Sequence, residues 1–218
     1  MPKNLPEQLS NDKRSQVLIA AQRLFGRFGF TKVTMDEIAR DLGISKTTLY
    51  YYYPTKEQLF AAVIQHEQNR FINIMQPILD EKIPASSKLM KYTEHRLKYF
   101  RDLVTLSKLS YQSFIEMKSK FSDVLQRFAE CDQKIVERIF REGVQTHEFS
   151  LNKGDKCPEL FLNLLMGMRI SSMRNVTVHS KPGNEINRLE RDMKVFVTIF
   201  LRGISEQPAT EPRKVKHK

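Results

Sequence analysis

The chain of 218 residues has no tryptophan, two cysteines and eight glycines, and each shortage removes a class of protein. Cys131 and Cys157 stand without a CxxC partner or companion histidines at ligand spacing. That pattern argues against a disulfide framework and a zinc site, so no metal and no cofactor is expected. Glycine is scarce and strand-like alternation is rare, which points to an all-α chain. No apolar run is long enough to cross a bilayer, and Met1-Pro2-Lys3-Asn4 does not open an export signal. A cytoplasmic location is therefore expected. A GxSxG elbow, a glycine-rich phosphate loop and an HExxH helix are all missing, and His66, His95, His147, His179 and His217 form no constellation with Cys or Asp. Nothing here points to an enzyme.

What is present is a globular composition with a basic excess: 40% hydrophobic residues, 28% charged residues and a net charge of +11. The excess is spread along the chain, as +3 over residues 1 to 57, +5 over 58 to 201 and +3 over 202 to 218. It is densest at the end, where Arg213, Lys214, Lys216 and Lys218 follow Pro208 and Pro212. Residues 206–218 read as a basic disordered tail, either solvated without a role or touching phosphate non-specifically.

The stretch from Thr31 to Phe60 is the most informative. Thr34 and Glu37 have the spacing of a capping box, so a helix is expected from Met35, with Ile38, Ala39 and Leu42 on its apolar face. Gly43 follows where a left-handed residue would turn the chain, and Ser45 caps a second helix carrying Leu49 and Tyr53 on one face. Lys46, Thr47 and Tyr51 fall on the outward face. Thr55 and Gln58 repeat the capping spacing after Pro54 and start a third, longer helix with Leu59, Phe60, Val63 and Ile64. A helix of this kind fits the DNA major groove, where lysine, threonine and tyrosine can read base edges or hold phosphates. Thr34, Ser45, Lys46, Thr47, Thr48, Tyr50, Tyr51, Tyr52 and Lys56 are the candidate DNA-binding residues. The same layout also occurs as ordinary helix packing.

These residues resemble the N-terminal domain of TetR-family transcriptional regulators. The resemblance runs without a gap from Leu24-Phe25 and Gly29-Phe30 through Thr34, Ile38-Ala39, Gly43-Ile44-Ser45 and Thr48-Leu49-Tyr50 to Tyr53, Lys56-Glu57 and Leu59-Phe60, about the first quarter of the chain. Many members of the family carry histidine where this chain has Tyr52, so a phosphate contact made by imidazole would pass to a phenol. The resemblance implies a helix-turn-helix DNA-binding domain over 10–56 and a helical ligand-binding and dimerisation domain over 57–205; the helices read from periodicity along the chain come to about nine. The resemblance also implies a cytoplasmic homodimer, associated with the bacterial nucleoid through DNA. The expected function is a repressor released from a palindromic operator by a lipophilic small molecule. The alternative is an adaptor that keeps the scaffold and binds protein, which acidic residues on the outward face would favour; none lies between Ser45 and Lys56.

Beyond the motif, a connecting helix is expected from Thr55 to Met75, with Pro77 and Pro84 framing a break. Apolar periodicity then predicts helices over Ala85–Leu106, around Tyr111–Met117, over Phe121–Val144, over Leu160–Met173 and over Ile186–Ile204. Tyr92, His95, Tyr99, Phe114, Met117, Phe128, Phe161 and Met166 are the candidate ligand lining, an aromatic and thioether wall suited to a lipophilic molecule. Aromatics at helical spacing also build ordinary cores. Glu94 and Glu116 could offset a cationic ligand. For the dimer, Leu160, Leu164, Gly167 and Ser171 give one face small enough for close approach, and Leu189, Met193, Phe196 and Phe200 give the last helix an apolar stripe. Intrachain packing can use the same residues; the resemblance favours a four-helix interface between two copies.

Overall fold

The computed structural model describes residues 5–107, 119–151, 156–175 and 182–205. Among them the chain forms helices α1 (Leu5–Phe28), α2 (Met35–Asp41), α3 (Lys46–Tyr52), α4 (Lys56–Asp80), α5 (Ala85–Ser107), α6 (Ser122–Gln145), α7 (Cys157–Asn175) and α8 (Pro182–Ile204). The described residues hold no strand, only an isolated bridge between Phe149 and Ser205. The all-α class expected from the sequence is the class observed. The short helix expected around Tyr111–Met117 lies outside the described residues, as does the tail from 206 onward.

Local chemistry sets the helix starts. The Thr34 hydroxyl accepts from the Glu37 amide at 3.2 Å while the Glu37 carboxylate accepts from the Thr34 amide at 2.8 Å, which closes the capping box of α2. Hydrogen bonding to Thr34 holds the Glu37 carboxyl below the usual range. Gly43 turns the chain at φ +64°, a conformation that costs side-chain-bearing residues energy and glycine almost none. Ser45 then accepts from the Thr48 amide at 3.1 Å to open α3, and Thr55 accepts from the Gln58 amide at 3.1 Å to open α4.

The connecting helix does not stop at Met75. It runs through Pro77 to Asp80, although an interior proline costs about 3 kcal/mol in a helix. The compensation is burial: Phe71, Met75 and Leu79 recur every four residues and all three enter the core. Burying a side chain of this size contributes about 1.5–3 kcal/mol, so two of them offset the lost hydrogen bond.

Two cores result. The first joins Val17, Ala21 and Phe25 of α1, Ile38 of α2, Leu49 of α3 and Leu59, Phe60 and Val63 of α4. The second joins the later turns of α4 with Leu89 and Tyr92 of α5, Val136 and Ile139 of α6, Phe161 and Leu165 of α7, and Leu189, Met193 and Val197 of α8. α4 belongs to both, its first turns in one and its last turns in the other. At the far end, the Glu148 carboxylate accepts from the Ala85 and Ser86 amides at 2.6 and 3.0 Å, capping α5 from across the chain. Phe149 folds back on Gly143, where an added Cβ would stand 2.2 Å from the ring, so only glycine fits. The buried Lys88 ammonium ties the same end together, donating to the Leu79 carbonyl at 2.8 Å and to Glu142 at 2.6 Å.

Candidate nucleic-acid interface and interior site

α3 is a helix of seven residues anchored by one: Leu49 has no solvent exposure, and it pins the helix to the first core. The opposite face is open. Tyr51 is 80% exposed, and Lys46, Thr47 and Tyr50 are exposed beside it. Tyr52 is half-buried and meets Tyr51 edge-on at 5.3 Å between ring centres. A fully buried anchor and an exposed phenol two residues apart are what a helix shows when it presents one face outward.

Other candidates are occupied within the chain. The Thr34 hydroxyl serves the capping box, and the Ser45 hydroxyl lies 2.8 Å from that of Thr48, so these three side chains primarily shape the turn. Lys46 forms an ion pair with Asp36 of α2. The corrected placement is that of Lys56, which sequence position alone puts on the outward face. Its ammonium turns inward, donating to the carbonyls of Phe30 and Val33 at 3.0 and 3.1 Å and lying 4.5 Å from the centre of the Phe30 ring. Those carbonyls belong to the turn between α1 and α2, so Lys56 braces the reading unit and is not free to hold phosphate. Lys120 is invisible in the sequence as a neighbour of this unit because it approaches only in three dimensions, and Asp36, inside the unit, is shown to be the partner of Lys46 only by the fold. Lys120 pairs with Glu57 at 2.9 Å, and Phe121 enters the first core with its ring 4.8 Å from Phe60 and 5.4 Å from Phe30.

The ligand candidates divide. Tyr92, Tyr99 and Phe128 come together with Phe71: Tyr99 stacks on Phe128 at 5.5 Å and Phe71 meets Tyr92 at 5.9 Å. His95 is half-buried on the same helix. The Arg96 guanidinium sits inside this group, 4.1 Å from the Phe128 ring centre, and its Nε donates to Asp132 at 2.8 Å. Burial pushes the Tyr99 hydroxyl up to about 12 and the Tyr92 hydroxyl higher still, so both keep their protons at neutral pH. Phe161 instead joins Phe140, Phe196 and Phe200, with ring centres 5.2–6.1 Å away. Met166 is 40% exposed and belongs to neither of the two cores. Phe114 and Met117 lie outside the described residues.

The dimer candidates also divide. Leu160 and Leu164 are 51% and 41% exposed, and Gly167 and Ser171 are exposed with them. The stripe expected on the last helix points the other way. Leu189 and Met193 are buried, and Phe196 and Phe200 are half-buried against Phe161 in the chain's own core. The apolar residues that α8 leaves open are Val195 and Ile199, at 57% and 63% exposure. Periodicity reveals a stripe but not which neighbour it faces. In α8 one stripe serves the core, and the shorter one beside it stays outside.

Comparison with known proteins agrees with this geometry. Residues 17–63 match the family described as bacterial regulatory proteins, tetR family. A solved transcriptional regulator from Cytophaga hutchinsonii is 34% identical, with 89% of this chain and 99% of that one covered at a TM-score of 0.79. The fatty acid metabolism regulator protein of Bacillus subtilis is 24% identical over 140 residues, 62% of this chain and 70% of its own length. The HTH-type transcriptional regulator RutR of Escherichia coli is 31% identical over 97 residues, 44% of this chain and less than half, 45%, of its own. The matched block contains the capped α2, the Gly43 turn, the α3 anchor Leu49 and the start of α4, and the solved relative extends the likeness over nearly the whole chain. On that ground the chain belongs to the TetR family, a family of transcriptional regulators and not of enzymes.

Proposed function

We propose that this chain is a homodimeric DNA-binding repressor that a small lipophilic molecule releases from a palindromic operator. The observation that carries the reading is the open face of α3, where Tyr51 contributes nothing to the chain's own core and is flanked by Lys46 and Thr47. A phenol, an ammonium and a hydroxyl on a short rigid helix suit base edges and phosphates in a major groove. Residues 10–56 supply this head, and residues 57–205 supply the interior site and the surface for the second copy. The effector acts through linkage: a molecule that prefers a spacing of the heads unsuited to the operator weakens DNA binding by the coupling energy with which DNA weakens its own.

The test starts from duplexes selected out of a random pool by the full chain. Tyr51→Ala and Lys46→Ala are expected to keep helical content and to lose about 1–3 kcal/mol per half-site, measured by gel shift. Unchanged affinity in both variants would remove α3 from the interface. Failure of the chain to retain any duplex would favour the protein-binding adaptor.

Salt provides a second prediction. A dimer making about 6–10 phosphate contacts should lose roughly a thousandfold or more in affinity between about 50 and 200 mM salt. A flat titration would mean that phosphates contribute little.

A further inference from the structure

We propose that Arg169 and Tyr92 form the anion-binding end of the effector site, and that the effector is a small carboxylic acid with an aliphatic or aromatic body. The proposal rests on the ligand-responsive reading above and specifies its chemistry.

The first observation is an imbalance of buried charge. Three charged side chains converge between α5, α6 and α7: Arg96, Asp132 and Arg169, each no more than 7% exposed. Arg96 and Asp132 neutralise one another, with nitrogen to oxygen distances of 2.7 and 2.8 Å. Arg169 has no acidic residue within ion-pair distance among the described residues, and its guanidinium lies 5.9 Å from the Phe100 ring centre. Burial, with Arg96 adding to it, lowers Arg169 to about 10, which leaves it charged at neutral pH. By contrast Lys88, a buried cation outside this cluster, has Glu142 beside it. Among the described residues two buried guanidinium groups therefore share the one carboxylate of Asp132, and the surplus positive charge disfavours the fold unless an anion completes it.

The second observation is independent of charge. The Arg169 Nε is buried without a hydrogen-bond partner, and the Tyr92 hydroxyl and the Asp132 Oδ1 are buried without a bond of full geometry, although the Asp132 carboxylate stands near enough to the phenol to help raise it. Such under-satisfied groups are rare in native interiors, and three in one cluster mark a place where groups from elsewhere belong. Two of the three can donate. A carboxylate accepts from a guanidinium and a phenol through its two oxygens, while Asp132 Oδ1 remains to accept from a hydroxyl or amide on the same molecule.

The surplus also selects the anion. A single excess positive charge is balanced by a monoanion; a phosphate dianion would overshoot and place its second charge against Asp132. Around the charged end stand Phe71, Tyr99, Phe100 and Phe128, which suit an apolar body. Two walls of the cluster begin in the first core, since α4 carries Leu59 and Phe71 and the chain entering α6 carries Phe121 ahead of Asp132. An occupant bonded to this cluster thus acts on helices that hold the reading head.

The experiment uses the full chain with octanoate, octanol, octylamine and sodium chloride as probes, read by thermal shift and by calorimetric titration. Octanoate is expected to bind and raise the melting temperature, with octanol, octylamine and chloride well behind. Arg169→Leu is expected to remain folded, because it removes an uncompensated charge, and to bind octanoate about 10- to 100-fold more weakly. Tyr92→Phe, which removes one hydroxyl, should weaken octanoate by a smaller factor and leave octanol unchanged. Equal binding of octanol and octanoate overturns the proposal, as does an equal shift with chloride, which would show an adventitious ion only. Undiminished octanoate binding in both variants overturns it too. Octanoate binding with no change in operator affinity would keep the site and remove the release mechanism, so the two readings fail separately.

Discussion

A chain carrying Leu164→Asp and Ile199→Asp is expected to sediment as a folded monomer and to lose tight operator binding. α7 and α8 share one outer face, on which Leu164, Gly167 and Ser171 line a shallow cleft with Arg188 and Asp192. Leu160, Leu164, Val195 and Ile199 leave large apolar side chains open on these two helices. In a two-fold dimer each substitution appears twice, so four carboxylates would enter an apolar contact with no partners. An unpaired buried charge costs several kcal/mol, and an increase in dissociation constant of at least about a thousandfold, roughly 4 kcal/mol, is expected. Operator affinity falls with it, because one head at a single half-site gives up the second contact set. Sedimentation velocity at micromolar concentration decides the matter; a variant that still sediments as a dimer would place the contact elsewhere. Phe196→Asp with Phe200→Asp behaves differently. Those rings pack on Phe161 and Phe140, so charge there unfolds the second core before it tests any interface.

Phe121→Ala is expected to destabilise the DNA-reading end of the molecule by about 3–5 kcal/mol, although residue 121 lies some sixty residues beyond it in sequence. The ring is 6% exposed and sits among Phe30 and Phe60, which in turn touch Phe25. Its removal leaves a cavity where α1, α4 and the approach to α6 meet. Urea denaturation should show the loss, and gel shift should show weaker binding although α3 itself is untouched. A loss below about 1 kcal/mol would mean that the ring is not seated in this core. The neighbouring ion pair adds a pH signature. The hydrogen bond from Lys120 depresses the Glu57 carboxyl, so this contribution is present at neutral pH and is lost as pH falls through the depressed pKa. Lys120→Ala should remove that part of the acid sensitivity, and an unchanged acid limb would show that the pair contributes nothing.

Local chemistry was legible without coordinates because it depends on residues three or four apart. The Thr34–Glu37 box, the Gly43 turn, the Ser45 and Thr55 caps and the Leu49 anchor all follow from neighbours in the chain, and together they account for the local layout of the reading unit. The all-α class followed in the same way from periodicity. What the sequence could not determine is which of two possible partners a side chain meets. Lys56 turned inward because the Phe30 and Val33 carbonyls stood within reach, and α4 continued past Pro77 because Met75 and Leu79 found a core to enter. Met193 and Val195 lie two residues apart on one helix, yet one is buried and the other open, a distinction set by where α5 and α7 lie and not by either residue. The uncompensated Arg169 was beyond sequence reasoning for the same reason. Its isolation is a property of Arg96, Asp132 and Tyr92, brought to one point from helices far apart in the chain. Hydrophobic burial and charge pairing act through space, so periodicity along a chain records that a face exists, while only the packed structure decides what that face touches.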